Sequence, residues 1–182
     1  MLSGAMLAGR RQKRQEYDKL ALIVIVLQGV IFMIHEFILD ADWKGGRNSE
    51  GTISTGNLNT VISIPQPMGG PGTGTNPDEM LLGAAATCYI ITLAAMLERS
   101  NIAVDRLTMR SEGHVDVTNN IFTYQQIIHR PQIVLAASAG EREREKALML
   151  AHKAEQSCMI SRAVAGNVQL STEPDIQVAE AH

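Results

Sequence analysis

The sequence predicts an α+β domain in which helices pack against an antiparallel sheet. Two observations carry this prediction: a long apolar segment with helix-start signals near the middle of the chain, and strand-like stretches on both sides of it. The predicted order is three strands, a helix, two strands, a helix and a strand. With 182 residues, of which 45% are hydrophobic and 19% charged, the chain is long enough for one domain with a substantial core.

The central helix is predicted over the segment 75–101. Asn76 can cap the helix, Pro77 suits its first position, and Glu79 falls where a capping box places a carboxylate. From Met80 to Leu97 the residues are apolar or small almost all round. A helix without a clean polar face is typical of a buried position, so we expect this helix at the centre of the fold.

Strand patterns flank this helix. Pro131, late in one of them, predicts an edge strand or a bend, because proline cannot donate to a sheet ladder. Glycine and asparagine pairs at Gly56-Asn57 and Asn119-Asn120 predict tight turns. The predicted strands cover 34–43, 50–55, 58–64, 107–118, 121–136 and 168–178, and the later helices cover 141–158 and, as a short turn, 159–165.

The first 32 residues differ from the rest, which predicts an N-terminal extension (1–32) followed by the domain (33–182). A basic run, Arg10 to Arg14, precedes an apolar one that is short for a membrane span. The codons for Gln28 to Val30 can contain a bacterial ribosome-binding sequence, and Met33 follows shortly after them. Met33 is therefore one candidate for the natural start of translation. The alternative is an amphipathic or membrane-seeking segment.

Composition and motif spacing exclude several kinds of site. The net charge of −3 gives no electrostatic case for nucleic-acid binding. Two cysteines do not make a disulfide framework; they are typical of a cytosolic pair that is either structural or redox-active. The histidines lack metal-ligand spacing, and the glycine-rich loop before the central helix lacks the ending of a phosphate-binding loop.

Three segments resemble the OsmC/Ohr family of thiol peroxidases. TNPDEMLLGAAATCYIITLAAML is similar to its first cysteine motif, AEQSCMISRAVAGNVQL to its second, and WKGGRNSEGTIS to its Gly-Gly-Arg segment. The resemblance implies a peroxidatic Cys88, a resolving Cys158, an active-site Arg47 and Asp78 as the carboxylate partner of that arginine, with Glu79 as a rival. Family peroxidases commonly carry Glu at position 78, and Pro where this chain has Met159.

The resemblance also implies an OsmC-like fold in an intertwined homodimer with two six-stranded sheets. It predicts a cytoplasmic enzyme that reduces organic hydroperoxides with an external dithiol, for which a lipoyl-type dithiol is one candidate, and without a metal or organic cofactor. We expect neither nucleic acid nor membrane as partners. The central helix would offer an apolar lining to the substrate, comprising Leu81, Leu82, Tyr89 and Met96.

The residues themselves add one physical requirement. Burial raises the pKa of a thiol, and Cys88 lies about three turns into its helix, beyond the reach of the charge at the N-terminus of that helix. A cation from elsewhere is therefore expected to stabilise the thiolate, and Arg47 is suited to this role. The competing hypothesis is an OsmC-like binding or structural protein in which Cys88 is inert.

Overall fold

The computed structural model describes residues 22–27 and 30–180. Our predictions for residues 1–21 and for Gln28-Gly29 lie outside this part of the chain. The chain divides between Asn76 and Pro77 into two compact units.

The first unit contains a hairpin and a separate three-stranded antiparallel sheet of order β3-β4-β5. Gly56, at a φ of +51°, turns the chain between β4 and β5, as predicted. A 3₁₀ turn, Gln66–Met68, follows. The strands are β1 (Leu22–Leu27), β2 (Val30–His35), β3 (Asp40–Trp43), β4 (Gly51–Thr55) and β5 (Leu58–Ile62).

The predicted first strand, 34–43, is wrong as a single element. Residues 34 and 35 end β2, and β3 begins only at Asp40. Asp40 pairs with Ser54, and β4 ends at the next residue, Thr55. Residues 36–39 therefore run past the end of the available ladder. The β1–β2 hairpin pairs Met33 with Val24, and a domain boundary after residue 32 stays a prediction.

The second unit contains three helices and a sheet in which β7 is central. β6 and β7 form a long antiparallel hairpin whose turn, Asn119-Asn120, has φ values of 53° and 60°, as two-residue hairpin turns require. The elements are α1 (Pro77–Arg99), β6 (Val104–Thr118), β7 (Ile121–Leu135), α2 (Glu141–Ser157), α3 (Met159–Val164), β8 (Gln169–Thr172) and β9 (Asp175–Val178). The predicted α+β class is confirmed.

The last strand departs from the prediction in pairing and in continuity. β8 and β9 both run parallel to β7, whereas we predicted an antiparallel sheet. The reason is the crossover through α2 and α3, which returns the chain in its original direction. The break between β8 and β9 falls opposite Pro131, which has no N–H to offer a ladder. Pro131 thus lies in a central strand, so of the two alternatives that we predicted, an edge strand or a bend, the edge strand is wrong.

The core of this unit lies between α1, α2 and the sheet. One face of α1 is fully buried there, at Ala85, Tyr89, Leu93 and Leu97. The burial that we predicted all round the helix is wrong for the single chain, because Ile91 on another face is 67% exposed. By its 23 residues and hydropathy of 2.0, α1 could also span a membrane. Length and hydropathy alone are weak evidence for a membrane span, since core helices of soluble proteins share this composition.

Candidate active site

The structure brings the two cysteines together within the second unit. Cys88 lies half-buried in the middle of α1, and Cys158 is fully buried between α2 and α3. Both thiols are free, and that of Cys158 forms a hydrogen bond with the sulfur of Cys88. Two residues 70 positions apart in the chain are thus placed for sulfur chemistry with each other.

Cys158 owes its position to a break between two helices. Its backbone is extended, with φ −63° and ψ 129°, so α2 cannot continue through it. Its N–H donates to the carbonyl of Ala154 at 2.9 Å and closes α2. Its own carbonyl accepts the N–H of Arg162 at 3.1 Å and opens α3. The first N–H groups of α3, which have no partner inside their own helix, therefore follow Cys158 directly.

Two of these N–H groups, those of Met159 and Ile160, form hydrogen bonds with the sulfur of Cys88. Burial acts to raise the pKa of the Cys88 thiol. Hydrogen bonds outweigh it and lower the pKa: one from the Cys158 thiol, two from the backbone N–H groups of Ile160 and Met159, and one from the Thr92 hydroxyl. Because each of these donors favours the ionised form, Cys88 is the thiol that ionises more readily.

Cys158 has the opposite tendency. Burial raises the pKa of its thiol, and its hydrogen bond to Cys88 raises it further, because that bond uses the thiol proton. The backbone N–H groups of Ser161 and Ile160 offset part of this rise. The pair is therefore polarised: the pKa of the Cys88 thiol is lowered and that of the Cys158 thiol is raised, so Cys88 loses its proton first.

The sequence did not reveal the backbone donors at Met159 and Ile160. We expected the stabilising charge from Arg47 alone, since α1 cannot supply it to its own middle turn. The available signal was the predicted helix start directly after Cys158, which implies unpaired N–H groups at that point.

Arg47 lies in the first unit, in the loop between β3 and β4, and is exposed. Its Nη2 donates to the carbonyl of Met68 at 2.8 Å, and its Nη1 donates to Oδ1 of Asn48 at 3.0 Å. These contacts hold the guanidinium against the 3₁₀ turn of the same unit. The role of Arg47 at Cys88 stays a prediction.

Asp78 lies in the first turn of α1, next to Glu79. The helix is uninterrupted from Pro77 to Arg99, so roughly 15 Å of axial rise separates Asp78 from Cys88. The carboxylate lies instead near Tyr124, whose pKa is raised by burial and by the charge of Asp78. Within this unit, Asp78 and the thiols form no joint site.

Tyr89 is not part of a substrate lining, which corrects our prediction. Its side chain is fully buried, stacks on His129 with ring centroids 4.7 Å apart, and donates its hydroxyl to the carbonyl of Ala151 at 3.0 Å. Tyr89 is thus a core residue that anchors α1 to α2. The other three predicted lining residues, Leu81, Leu82 and Met96, are only partly buried.

His129 is the buried histidine of this core. Its Nδ1 is hydrogen bonded to the Ser111 hydroxyl at 2.8 Å, and burial lowers its pKa, which favours the neutral ring. Among the residues that the structure describes, no group of three or more His, Cys, Asp or Glu side chains could hold a metal ion.

Comparison with known proteins places this arrangement in a family. The profile of the OsmC-like proteins matches residues 70–173. The chain is 59% identical over 144 residues to the uncharacterized protein YmaD of Bacillus subtilis, covering 79% of this chain and 96% of that protein. It is 28% identical over 130 residues to the organic hydroperoxide resistance protein OhrB of the same species, covering 71% and 91%.

A solved structure agrees with these matches. The crystal structure of an organic hydroperoxide resistance protein OsmC from Legionella pneumophila superposes with a TM-score of 0.63 and 25% identity, covering 78% of this chain and 98% of that one. The profile match spans more than half of the chain and includes both cysteines. The chain belongs to the family of OsmC-like proteins.

Proposed function

We propose that this protein is a thiol-dependent peroxidase that reduces organic hydroperoxides, with Cys88 as the peroxidatic and Cys158 as the resolving cysteine. The observation that carries the proposal is the polarised thiol pair, in which Cys88 accepts and Cys158 donates a hydrogen bond. Relatives named as organic hydroperoxide resistance proteins support the choice of substrate.

In the first step, the Cys88 thiolate attacks the hydroxyl-bearing oxygen of the hydroperoxide. The O–O bond breaks, sulfur loses two electrons, and Cys88 becomes a sulfenic acid. The departing alkoxide takes a proton and leaves as an alcohol. The hydrogen-bonded thiol of Cys158 is a proton source for this step, and giving up that proton turns Cys158 into a thiolate.

In the second step, the Cys158 thiolate attacks the sulfur of the sulfenic acid. A disulfide forms, and the displaced hydroxide takes a proton from solvent and leaves as water. An external dithiol, for which a lipoyl-type compound is one candidate, then returns both cysteines to thiols. This cycle needs no metal and no organic cofactor.

Arg47, with Asp78 or Glu79 as its carboxylate partner, would complete the site as a fixed positive charge beside the thiolate. We place the protein in the cytoplasm as a homodimer. The exposed apolar surface of α1 around Ile91 supports this assembly, because a second chain would remove that surface from water.

The test compares hydroperoxide reduction by the wild-type protein, Cys88→Ser and Cys158→Ser, with cumene hydroperoxide and a dithiol reductant. We expect Cys88→Ser to be inactive. Cys158→Ser should release about one equivalent of alcohol and stop at the sulfenic acid, which dimedone traps. Sustained turnover by Cys88→Ser would overturn the proposal.

The second candidate is an OsmC-like binding protein in which the thiols are inert. The contacts of Arg47 favour it, because that guanidinium is exposed and bonded to Met68 and Asn48 of its own unit. The two candidates differ in thiol chemistry. An inert Cys88 would alkylate at neutral pH no faster than a free thiol with a pKa of about 8.5.

A further inference from the structure

Thr92 lies one helical turn after Cys88 on α1. Its hydroxyl donates to the backbone carbonyl of Cys88 at 2.8 Å. The same hydroxyl is also within hydrogen-bonding reach of the Cys88 sulfur. This follows from helix geometry, since side chains lean towards the N-terminus and onto the preceding turn.

The hydroxyl has one proton for these two acceptors. The Cys88 carbonyl already accepts the backbone N–H of Thr92 within the helix, so it keeps a partner when the hydroxyl turns away. A thiolate gains more from a donor than a neutral carbonyl does, because a hydrogen bond to an ionised group is stronger. Ionisation of Cys88 therefore favours rotation of the Thr92 proton towards sulfur.

We propose that Thr92 is a switchable hydrogen-bond donor that stabilises the reacting thiolate of Cys88 by transferring its hydroxyl bond from the helix carbonyl to the sulfur. The role is distinct from that of Cys158, whose proton is consumed in the cycle. It rests on the proposed function only in that Cys88 is the reacting cysteine. The backbone donors at Met159 and Ile160 cannot rotate, so among the donors at this sulfur Thr92 is the one that responds to ionisation while keeping its proton.

Thr87 provides a matched control on the same helix. Its hydroxyl makes the same backward bond, to the carbonyl of Gly83 at 2.7 Å. Thr87 is exposed, and its hydroxyl is not among the groups that contact the Cys88 sulfur. Replacing either threonine by valine removes one hydroxyl and its backward hydrogen bonding within α1, which for Thr87 includes a longer contact to the carbonyl of Ala84 at 3.3 Å, but only the change at Thr92 removes a donor to sulfur.

The experiment measures the rate of alkylation of Cys88 by iodoacetamide from pH 5 to pH 10 in the full-length reduced protein. Mass spectrometry identifies the modified cysteine. We expect Thr92→Val to move the midpoint to higher pH and to slow alkylation at neutral pH by about tenfold, as loss of one hydrogen bond to a charged group predicts. The rate at high pH, where the thiol is fully ionised, should match the wild type.

Thr92→Ser, which keeps a hydroxyl, should restore the wild-type profile, and Thr87→Val should leave it unchanged. A Thr92→Val profile that coincides with the wild type would refute the proposal, as would an equal shift in Thr87→Val. Alkylation requires no peroxide. A shifted profile in a protein without peroxidase activity would therefore retain the role of Thr92 and reject the proposed function.

Discussion

Oxidation by one equivalent of cumene hydroperoxide should raise the melting temperature of the protein. The proposed Cys88–Cys158 disulfide would close a loop of about 70 residues, and the loss of chain entropy in the unfolded state then stabilises the fold by about 4 kcal/mol. The hydrogen bond between the thiols is lost, at a cost of about 1 kcal/mol. The remaining 3 kcal/mol or so corresponds to a rise of about 6–12 °C for a chain of this size.

The assay is thermal unfolding of the reduced and oxidised protein, followed by circular dichroism. Mass spectrometry under non-reducing conditions verifies the internal disulfide. Cys158→Ser, treated with the same amount of hydroperoxide, is the control and should show no comparable rise. If the wild type contains the disulfide but melts no higher than the reduced form, closing the bond distorts the fold, and the two thiols are not as close in the reduced protein as this reasoning requires.

Two further predictions concern the core beneath the thiols. Tyr89→Phe should lower the free energy of unfolding by about 1 kcal/mol, measured in urea, because it removes the buried hydroxyl bond to Ala151; an unchanged stability would show that this bond contributes nothing. Burial holds the pKa of His129 below its ordinary value of 6.5, so the unfolded chain binds more protons than the folded one at mildly acidic pH. The contribution of neutral His129 to the free energy of unfolding should be fully present above about pH 6.5 and should decrease as the pH falls towards the folded-state pKa. His129→Gln should flatten this slope in urea titrations at several pH values, and an equally steep slope in that variant would assign the effect to other groups.

Local signals in the chain predicted the helix starts and the tight turns. α1 begins at Pro77 after Asn76, and the β6–β7 hairpin turns at Asn119-Asn120. These features depend on the conformations that one or two residues can adopt, so the sequence is sufficient to find them. The cysteines Cys88 and Cys158 were likewise identified, through motifs that lie close to them in the chain.

The pairing of the last strands needed the tertiary structure. Whether β8 runs parallel or antiparallel to β7 depends on how α2 and α3 return the chain across the sheet, and no residue in β8 specifies that path. The burial of α1 was likewise overestimated. The apolar composition of α1 predicts burial, but it does not say which face is buried. Only the packing shows that Tyr89 faces the core while Ile91 is exposed.

The sequence by itself determined the α+β class, the central helix and the two candidate thiols, because each is encoded by side chains of characteristic type and spacing. The tertiary structure decided which groups set the pKa of Cys88. Two of these groups are the backbone N–H groups of Met159 and Ile160, which every residue except proline possesses, so the sequence indicates only that a helix starts there and not which sulfur these groups face. Their effect on Cys88 depends on the fold alone, which places the break at Cys158 against the middle of α1.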